Sequence, residues 1–252
     1  MGSPGTLLVA DFPVRVTTQA ELASVLLDAL TIGQKATLFF ANTNFIVQCR
    51  PLLSRMRDPS VIIVNDGVGL DLAARLVYRS RFKENLNGTD FTPFLFRQSP
   101  TPLRVYMVGG KPAVLAKASA HVRTQLGQHV VGTCDGYDGM KNNSELIAEM
   151  NLARPDIILV ALGNPIQEEW ILDHRRELDA GVIMGVGALF DFWAGDKPRA
   201  PKLVQRLRLE WLYRLALEPR RLFRRYTVDM VTFFMHCYKY RQLPGQGGEK
   251  AM

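Results

Sequence analysis

Several stretches of this chain place carboxylate, amide and aromatic side chains directly after short apolar runs. Asp66 follows Val61–Asn65 and precedes Gly67. A carboxylate at that point can face a cleft and take a proton from a hydroxyl nucleophile. An Asp ahead of a helix is equally a favoured N-cap. Asn42 and Asn44 follow the run that starts at Ala36, and Tyr137 follows Asp135-Gly136. A tyrosine there can stack on a nucleobase or simply pack. Asn164 and Gln167 in Gly163-Asn164-Pro165-Ile166-Gln167-Glu168 are neutral hydrogen-bonding groups suited to phosphate or sugar oxygens. Gln167, opening a helical pattern, has no evident structural duty. Asp191, between Phe190 and Phe192, can accept from a base edge or a ribose, or cap a loop. Glycines at the same places let backbone N–H groups approach a ligand, and helix N-termini favour anions. The pattern suits a phosphate-bearing ligand, although tight strand-to-helix turns use the same residue types.

The elements that must hold these residues read as alternating strands and helices. Strands are expected at Ala36–Asn42, Val61–Asp66, Leu103–Gly109, His129–Thr133, Asp156–Leu162 and Gly181–Val186. Most lack two-residue alternation, so both faces should be covered. Helical patterns fall at Thr18–Leu30, Phe45–Met56, Gly69–Arg79, Ala113–Leu126, Asn143–Ala153 and Gln167–Leu178. This order predicts an α/β fold: a doubly wound, mostly parallel sheet with helices on both faces. Ligands in such sheets bind at the carboxyl ends of the strands, where all the residues above fall.

The chain has 252 residues, 47% hydrophobic and 22% charged. That composition excludes a disordered chain and a polytopic membrane protein. No apolar stretch reaches the roughly 18 residues of a spanning helix, and no secretory leader is visible. Three scattered cysteines and four histidines without metal-ligand spacing argue against a disulfide framework or a zinc site, and suit a reducing compartment. The glycine fingerprint of dinucleotide folds fails, because Leu72 stands where the third glycine would be. Walker A, G-x-S-x-G and D-x-D motifs are absent from the sequence.

Charge is unevenly placed. Residues 1–195 hold 18 Lys and Arg against 19 Asp and Glu; residues 196–252 hold 13 against 5. A turn-rich segment, Gly195–Pro201, separates the two, so residues 1–195 are expected to form the α/β domain. Residues 196–243 would form a small basic helical C-terminal appendage, and 244–252 a disordered tail. Two or three helices are expected there, about Leu203–Leu217 and Arg220–Phe234, with Pro219 restarting the chain between them. Arg220, Arg221, Arg224 and Arg225 interleave with Leu222, Phe223, Tyr226, Met230, Phe233 and Phe234. Basic residues beside an apolar stripe suit an anionic inner-leaflet membrane surface, or an ordinary docking helix. The stripe also permits a homo-oligomer. No nucleic-acid motif accompanies it, so nucleic acid is not expected as a partner.

These stretches together resemble the WecG/TagA/CpsF family of bacterial glycosyltransferases. The resemblance rests on Val64–Gly69, Asn87–Asp90, Asp135–Tyr137, Pro155–Glu168, Gly185–Phe192, Arg199–Pro201, Glu210–Leu215, Glu218–Arg221 and Arg224–Tyr226, in the family's order. It implies an inverting, metal-independent hexosyltransferase without cofactor. Such an enzyme moves a sugar from a UDP-sugar donor to a polyprenyl-diphosphate-linked saccharide in surface-polysaccharide synthesis, as a cytoplasmic protein peripheral to the inner membrane face. Asp66 matches the family's proposed general base. Asn44, Tyr137, Gln167 and Asp191 match nucleotide-sugar positions, beside which Asn42, Gly136 and Asn164 are donor-site candidates from the residue pattern above. Arg214, Arg221 and Arg224 match arginines that meet the acceptor or departing diphosphate.

Two positions depart from the family pattern. Asn42 stands where many relatives carry Thr, and Asn85 where many carry Arg, with Lys83 nearby. Both bear on the donor sugar, for which glucose, mannose, N-acetylmannosamine and its uronic acid all remain compatible. The alternative from the residues alone is a non-catalytic nucleotide-binding module with a basic tail for nucleic acid or a protein partner.

Overall fold

The computed structural model describes residues 5–140, 142–201, 203–204 and 209–241, without the side chains of Asp138, Arg214, Arg221, Arg225 and Tyr226. The expected tail, 244–252, lies outside the described residues, as do Arg206 and Arg208. Eight strands form one sheet: β1 (Thr6–Val9), β2 (Phe12–Arg15), β3 (Ala36–Ala41), β4 (Val61–Asn65), β5 (Arg104–Gly109), β6 (His129–Cys134), β7 (Ile157–Ala161) and β8 (Val182–Gly185). Their order is β1-β2-β4-β3-β8-β7-β5-β6, and every pair but β1–β2 is parallel. All six expected strands are present. β3 and β8 are buried at every position, as continuous apolar runs in the middle of a parallel sheet should be.

The β1–β2 hairpin was not expected. Its turn residues, Ala10 and Asp11, have φ of 48° and 68°, the left-handed pair that a two-residue hairpin needs. Neither is the Asn-Gly or Asp-Gly that would have signalled it. Pro13 also disguised β2; it pairs with Leu8 in β1 and sits just before the β2–β4 ladder begins at Val14.

The helices cover both faces. On one lie α2 (Thr43–Gln48), α3 (Val68–Leu76), α6 (Asn143–Ala153) and α7 (Ile166–His174), packed on Phe39, Tyr106, Ile158 and Ile183. On the other lie α1 (Gln19–Ile32), α4 (Gly88–Gln98), α5 (Pro112–Thr124) and α8 (Leu189–Trp193), packed on Leu38, Val105, Leu159 and Met184. The expected helix over Phe45–Met56 stops at Gln48 and continues as two 3-10 turns, because Pro51 cannot donate the helical hydrogen bond. Helix α4 was missed because Pro93 lies inside it.

After Trp193 the chain forms α9 (Glu210–Leu217), α10 (Pro219–Tyr226) and α11 (Val228–Lys239). Pro219 opens α10, as expected. The long helix expected over Arg220–Phe234 is instead divided at Thr227. Helix α11 lies on α2 and α3, and its Phe233 and Cys237 are fully buried in the same core cluster as Phe45 and Ile46. Tyr78 strengthens that seam: its hydroxyl accepts from Ala10 N at 2.8 Å and donates to the Cys237 carbonyl at 3.1 Å. Arg50 adds a guanidinium 3.7 Å from the Tyr240 ring centroid.

Candidate active site

The carboxyl ends of seven parallel strands share one edge; from β3 across to β6 the chain leaves neighbouring strands toward opposite faces, whereas β4 and β3 both lead to helices of one face. From β3 it goes to α2, from β8 to α8, from β7 to α7 and from β5 to α5, the arrangement that in doubly wound sheets opens a ligand crevice at the strand ends. Asp66 sits at the β4 end of this rim. Tyr137 sits at the β6 end, five strand spacings away, or about 24 Å at ~4.8 Å per spacing.

Asp66 is half-buried, one residue beyond β4, with its N–H bonded to Ala41 O at 2.7 Å. It is not the helix cap: α3 starts at Val68 with Gly67 as N-cap and no side-chain cap. Gly67 has φ of 87°, and a Cβ there would meet nothing within 4 Å. The turn is pinned by Asn85, whose Oδ1 accepts from Gly67 N at 3.1 Å. Asn65, fully buried beneath, donates to Asp71 at 3.2 Å and to Glu84 O at 2.9 Å. The side-chain oxygen of Asn65, Oδ1, is buried without a hydrogen-bond partner among the described residues.

The donor-site candidates divide by what their side chains do. Asn42 caps α2, its Oδ1 accepting from Phe45 N at 3.1 Å. Asn44 is half-buried in the first turn of α2. Gln167, 3% exposed, does have a structural duty: its Oε1 accepts from Gly163 N at 3.3 Å and Gly187 N at 3.0 Å, tying the β7 and β8 loops together. Asn164 and Gln167 converge on the Glu168 carboxyl, at 2.7 and 2.6 Å. Asp191 is half-buried in α8, and Lys197 Nζ lies 2.6 Å from its Oδ2. Tyr137 is 62% exposed, beside the tightest part of the rim. There Gly136 N bonds Gly110 O at 3.0 Å, and a Cβ on Gly109 would stand 2.5 Å from Ala161 O. Only glycine admits that approach, so three strand ends form one backbone floor.

The arginine candidates lie on the C-terminal helices: Arg214 in α9, Arg221 and Arg224 in α10, with the Arg224 side chain exposed. Met230, in the first turn of α11, comes within 3.8 Å of where a Gly69 Cβ would be. The chain therefore leaves α10 close to the Asp66 end of the rim.

Lys197, Asn85 and Glu168 are site residues that sequence reading passed over. Lys197 was visible only as part of a turn, and Asn85 only as a departure from an expected arginine. Glu168 was visible only as the end of a motif stretch, and it is 1% exposed.

A family model, the Glycosyl transferase WecG/TagA/CpsF family, matches residues 7–246. The chain belongs to the WecG/TagA/CpsF glycosyl transferase family. This WecG/TagA/CpsF protein is accordingly a glycosyltransferase, of a family that works in bacterial polysaccharide biosynthesis. Its reaction requires a sugar donor and an acceptor. Among its described residues, no helix is long and apolar enough to cross a membrane, and no three His, Cys, Asp or Glu side chains group as metal ligands.

Proposed function

We propose that the enzyme transfers a hexose from a UDP-sugar to a polyprenyl-diphosphate-linked saccharide, with inversion and without a metal ion. The observation that carries this reading is the position of Asp66: just outside β4, half-exposed, and beside the open turn at Gly67. Its carboxylate takes the proton from the acceptor hydroxyl as that oxygen attacks the anomeric carbon. The bond to the UDP oxygen breaks, and UDP leaves with the electron pair. A single displacement from the face opposite the leaving group inverts the anomeric centre.

The elongated donor suits a rim whose two ends carry different groups. Tyr137 stacks on the base, Asp191 accepts from the nucleoside, and Asn44 reaches the sugar. Gly136 lets the floor come close to the nucleotide. Asn42, Asn164 and Gln167 spend their amides inside the protein, and so serve the donor by shaping the loops. Departing negative charge needs fixed donors in a metal-free site. The N–H groups of the rim loops and Arg214, Arg221 and Arg224 supply them.

Residues 196–243 are read as the membrane-facing appendage of the catalytic body 1–195. Exposed Trp211, Leu212, Leu217 and Phe223 lie on the same two helices as exposed Arg220 and Arg224. That combination suits the anionic inner leaflet, where the acceptor lipid is anchored.

A screen of UDP-sugars with a synthetic lipid-diphosphate saccharide tests the reading. Transfer that persists in chelator, with an inverted product, is expected. Turnover that depends strictly on a divalent cation, or a product of retained configuration, would sink it.

A further inference from the structure

Behind the rim lies a carboxyl group that the proposed reaction leaves unused. Glu168, in the first turn of α7, accepts at one oxygen from both Asn164 Nδ2 (2.7 Å) and Gln167 Nε2 (2.6 Å). Its other oxygen is buried without a hydrogen-bond partner among the described residues. Burial lifts the carboxyl to about 6, against the pull of the Gln167, Cys49 and Asn164 groups around it. At neutral pH it is therefore mostly ionised. A charge in so dry a place persists only when hydrogen bonds hold it, and both of its amide donors belong to the β7 loop and the helix start behind it.

We propose that Glu168 is a positioning residue. By holding Gln167 Nε2, it turns the Gln167 carbonyl oxygen onto the N–H groups of Gly163 and Gly187, and so fixes the β7 and β8 loops in their ligand-binding shape. The two ends of an amide are nearly equal in size but opposite in hydrogen-bonding sense. A carboxylate on one side and two N–H donors on the other leave a single orientation satisfied. Flipped, the Gln167 NH₂ would confront both glycine N–H groups and its oxygen would face the carboxylate. At the two glycines themselves no side chain helps to brace the backbone. Gly163 and Gly187 have φ of 79° and 57°, and a Cβ on either would meet nothing within 4 Å.

That these loops receive a nucleotide rests on the reading above; that Glu168 sets their shape does not. Three variants of the full chain test it: Glu168→Leu, Glu168→Gln and Gln167→Ala. Two readouts are needed, amide hydrogen exchange at Gly163 and Gly187 and calorimetric binding of UDP. Losing a charge-assisted hydrogen bond should speed exchange at both glycines, and weaken UDP, by roughly 10-fold or more in Glu168→Leu. Glu168→Gln keeps an acceptor oxygen and should stay within about 3-fold of the parent. Gln167→Ala should match Glu168→Leu, and the double variant should add nothing further. Unchanged exchange in Glu168→Leu overturns the proposal, as does a Glu168→Gln as impaired as Glu168→Leu. Faster exchange without weaker UDP binding also overturns it, since the loops would not then shape the site. Should Glu168→Leu fail to fold, Gln167→Ala and Glu168→Gln decide by the same readouts. Should the parent not bind UDP while the exchange pattern holds, the donor reading fails and the loop lock stands.

Discussion

The rim and the C-terminal helices use polar residues in opposite ways. On the rim, Asn42, Asn85, Asn164 and Gln167 are all engaged inside the protein, fixing backbone turns. On α9 and α10, by contrast, Arg220 and Arg224 are exposed, and so are the large apolar residues Trp211, Leu212, Leu217 and Phe223. Folding alone shapes the first region. The second leaves apolar area and positive charge facing outward, which is how a surface looks when a partner completes it. Helix α11 is the joint between them. It buries Phe233 and Cys237 in the core while presenting Val231, Met235 and Tyr238 outward.

The sharpest way to break the comparison is at Asp66. If the rim is preorganised for chemistry, Asp66→Asn should lower turnover by about 10²–10⁴-fold. UDP affinity and the thermal midpoint should barely move, because the carboxylate is not the cap of α3. Transfer rates, calorimetry and a melt on one preparation decide it. Parent-like turnover would remove Asp66 from the mechanism.

The joint is tested next. Phe233→Ala empties a fully buried ring position between α11 and α2, and should destabilise the protein by about 3–5 kcal/mol. The matching change at exposed Phe223 should stay within about 0.5 kcal/mol. Denaturant titration of both variants checks the pair. Equal losses would mean that the two aromatic positions are not the buried and outward groups described. Removing residues 196–252 outright is a poorer test of the appendage, because it strips core residues along with the arginines.

Much of this was legible in the sequence, and the illegible parts have physical causes. Strands β3, β5, β7 and β8 were readable because both their faces are buried, which leaves continuous apolar runs such as Ala36–Ala41, whereas β6, at the sheet's edge, is only partly buried. The rim followed from topology alone: carboxyl ends of parallel strands must share an edge. The hairpin was not readable, because Ala10 and Asp11 take a left-handed turn without the residues that usually mark one. Within the site, Asp66 could be located but its capping alternative could not be dismissed until α3 was seen to begin at Val68. Gln167 was misjudged for a spatial reason. The Gly187 N–H that fixes its amide and the Cys49 thiol beside neighbouring Glu168 come from two distant segments, and no local pattern reports such a meeting.

Glu168 also offers a smaller, pH-dependent test of how dry the rim's foundation is. Its carboxyl sits at about 6 in the folded protein, against an ordinary 4.5. Between those values the folded state binds more protons than the unfolded one. Stability from this group is thus greatest at the acid end and falls as pH rises through the window, by about 2 kcal/mol in total. Glu168→Gln removes that slope, so the variant should gain on the parent by about that amount between pH 4 and 7. Unfolding free energies of both proteins across the range check it. A constant difference would mean that Glu168 titrates like a surface carboxyl.

The smallest expected effect probes the outward region itself. Arg224 is exposed on α10, so Arg224→Gln should leave the melt unchanged. If α10 faces an anionic leaflet, one lost positive charge removes about 1 kcal/mol of attraction, or roughly a 5-fold weaker partition onto phosphatidylserine-containing vesicles. The deficit should shrink in high salt, where the charges are screened within about 3 Å at 1 M. Phe223→Ser should weaken the same partition in a salt-insensitive way, because its contribution is buried apolar area rather than charge. The two variants together separate the cationic and apolar halves of the surface. Parent-like sedimentation of both would leave α10 as an ordinary solvated helix, and the contrast with the rim would lose its partner.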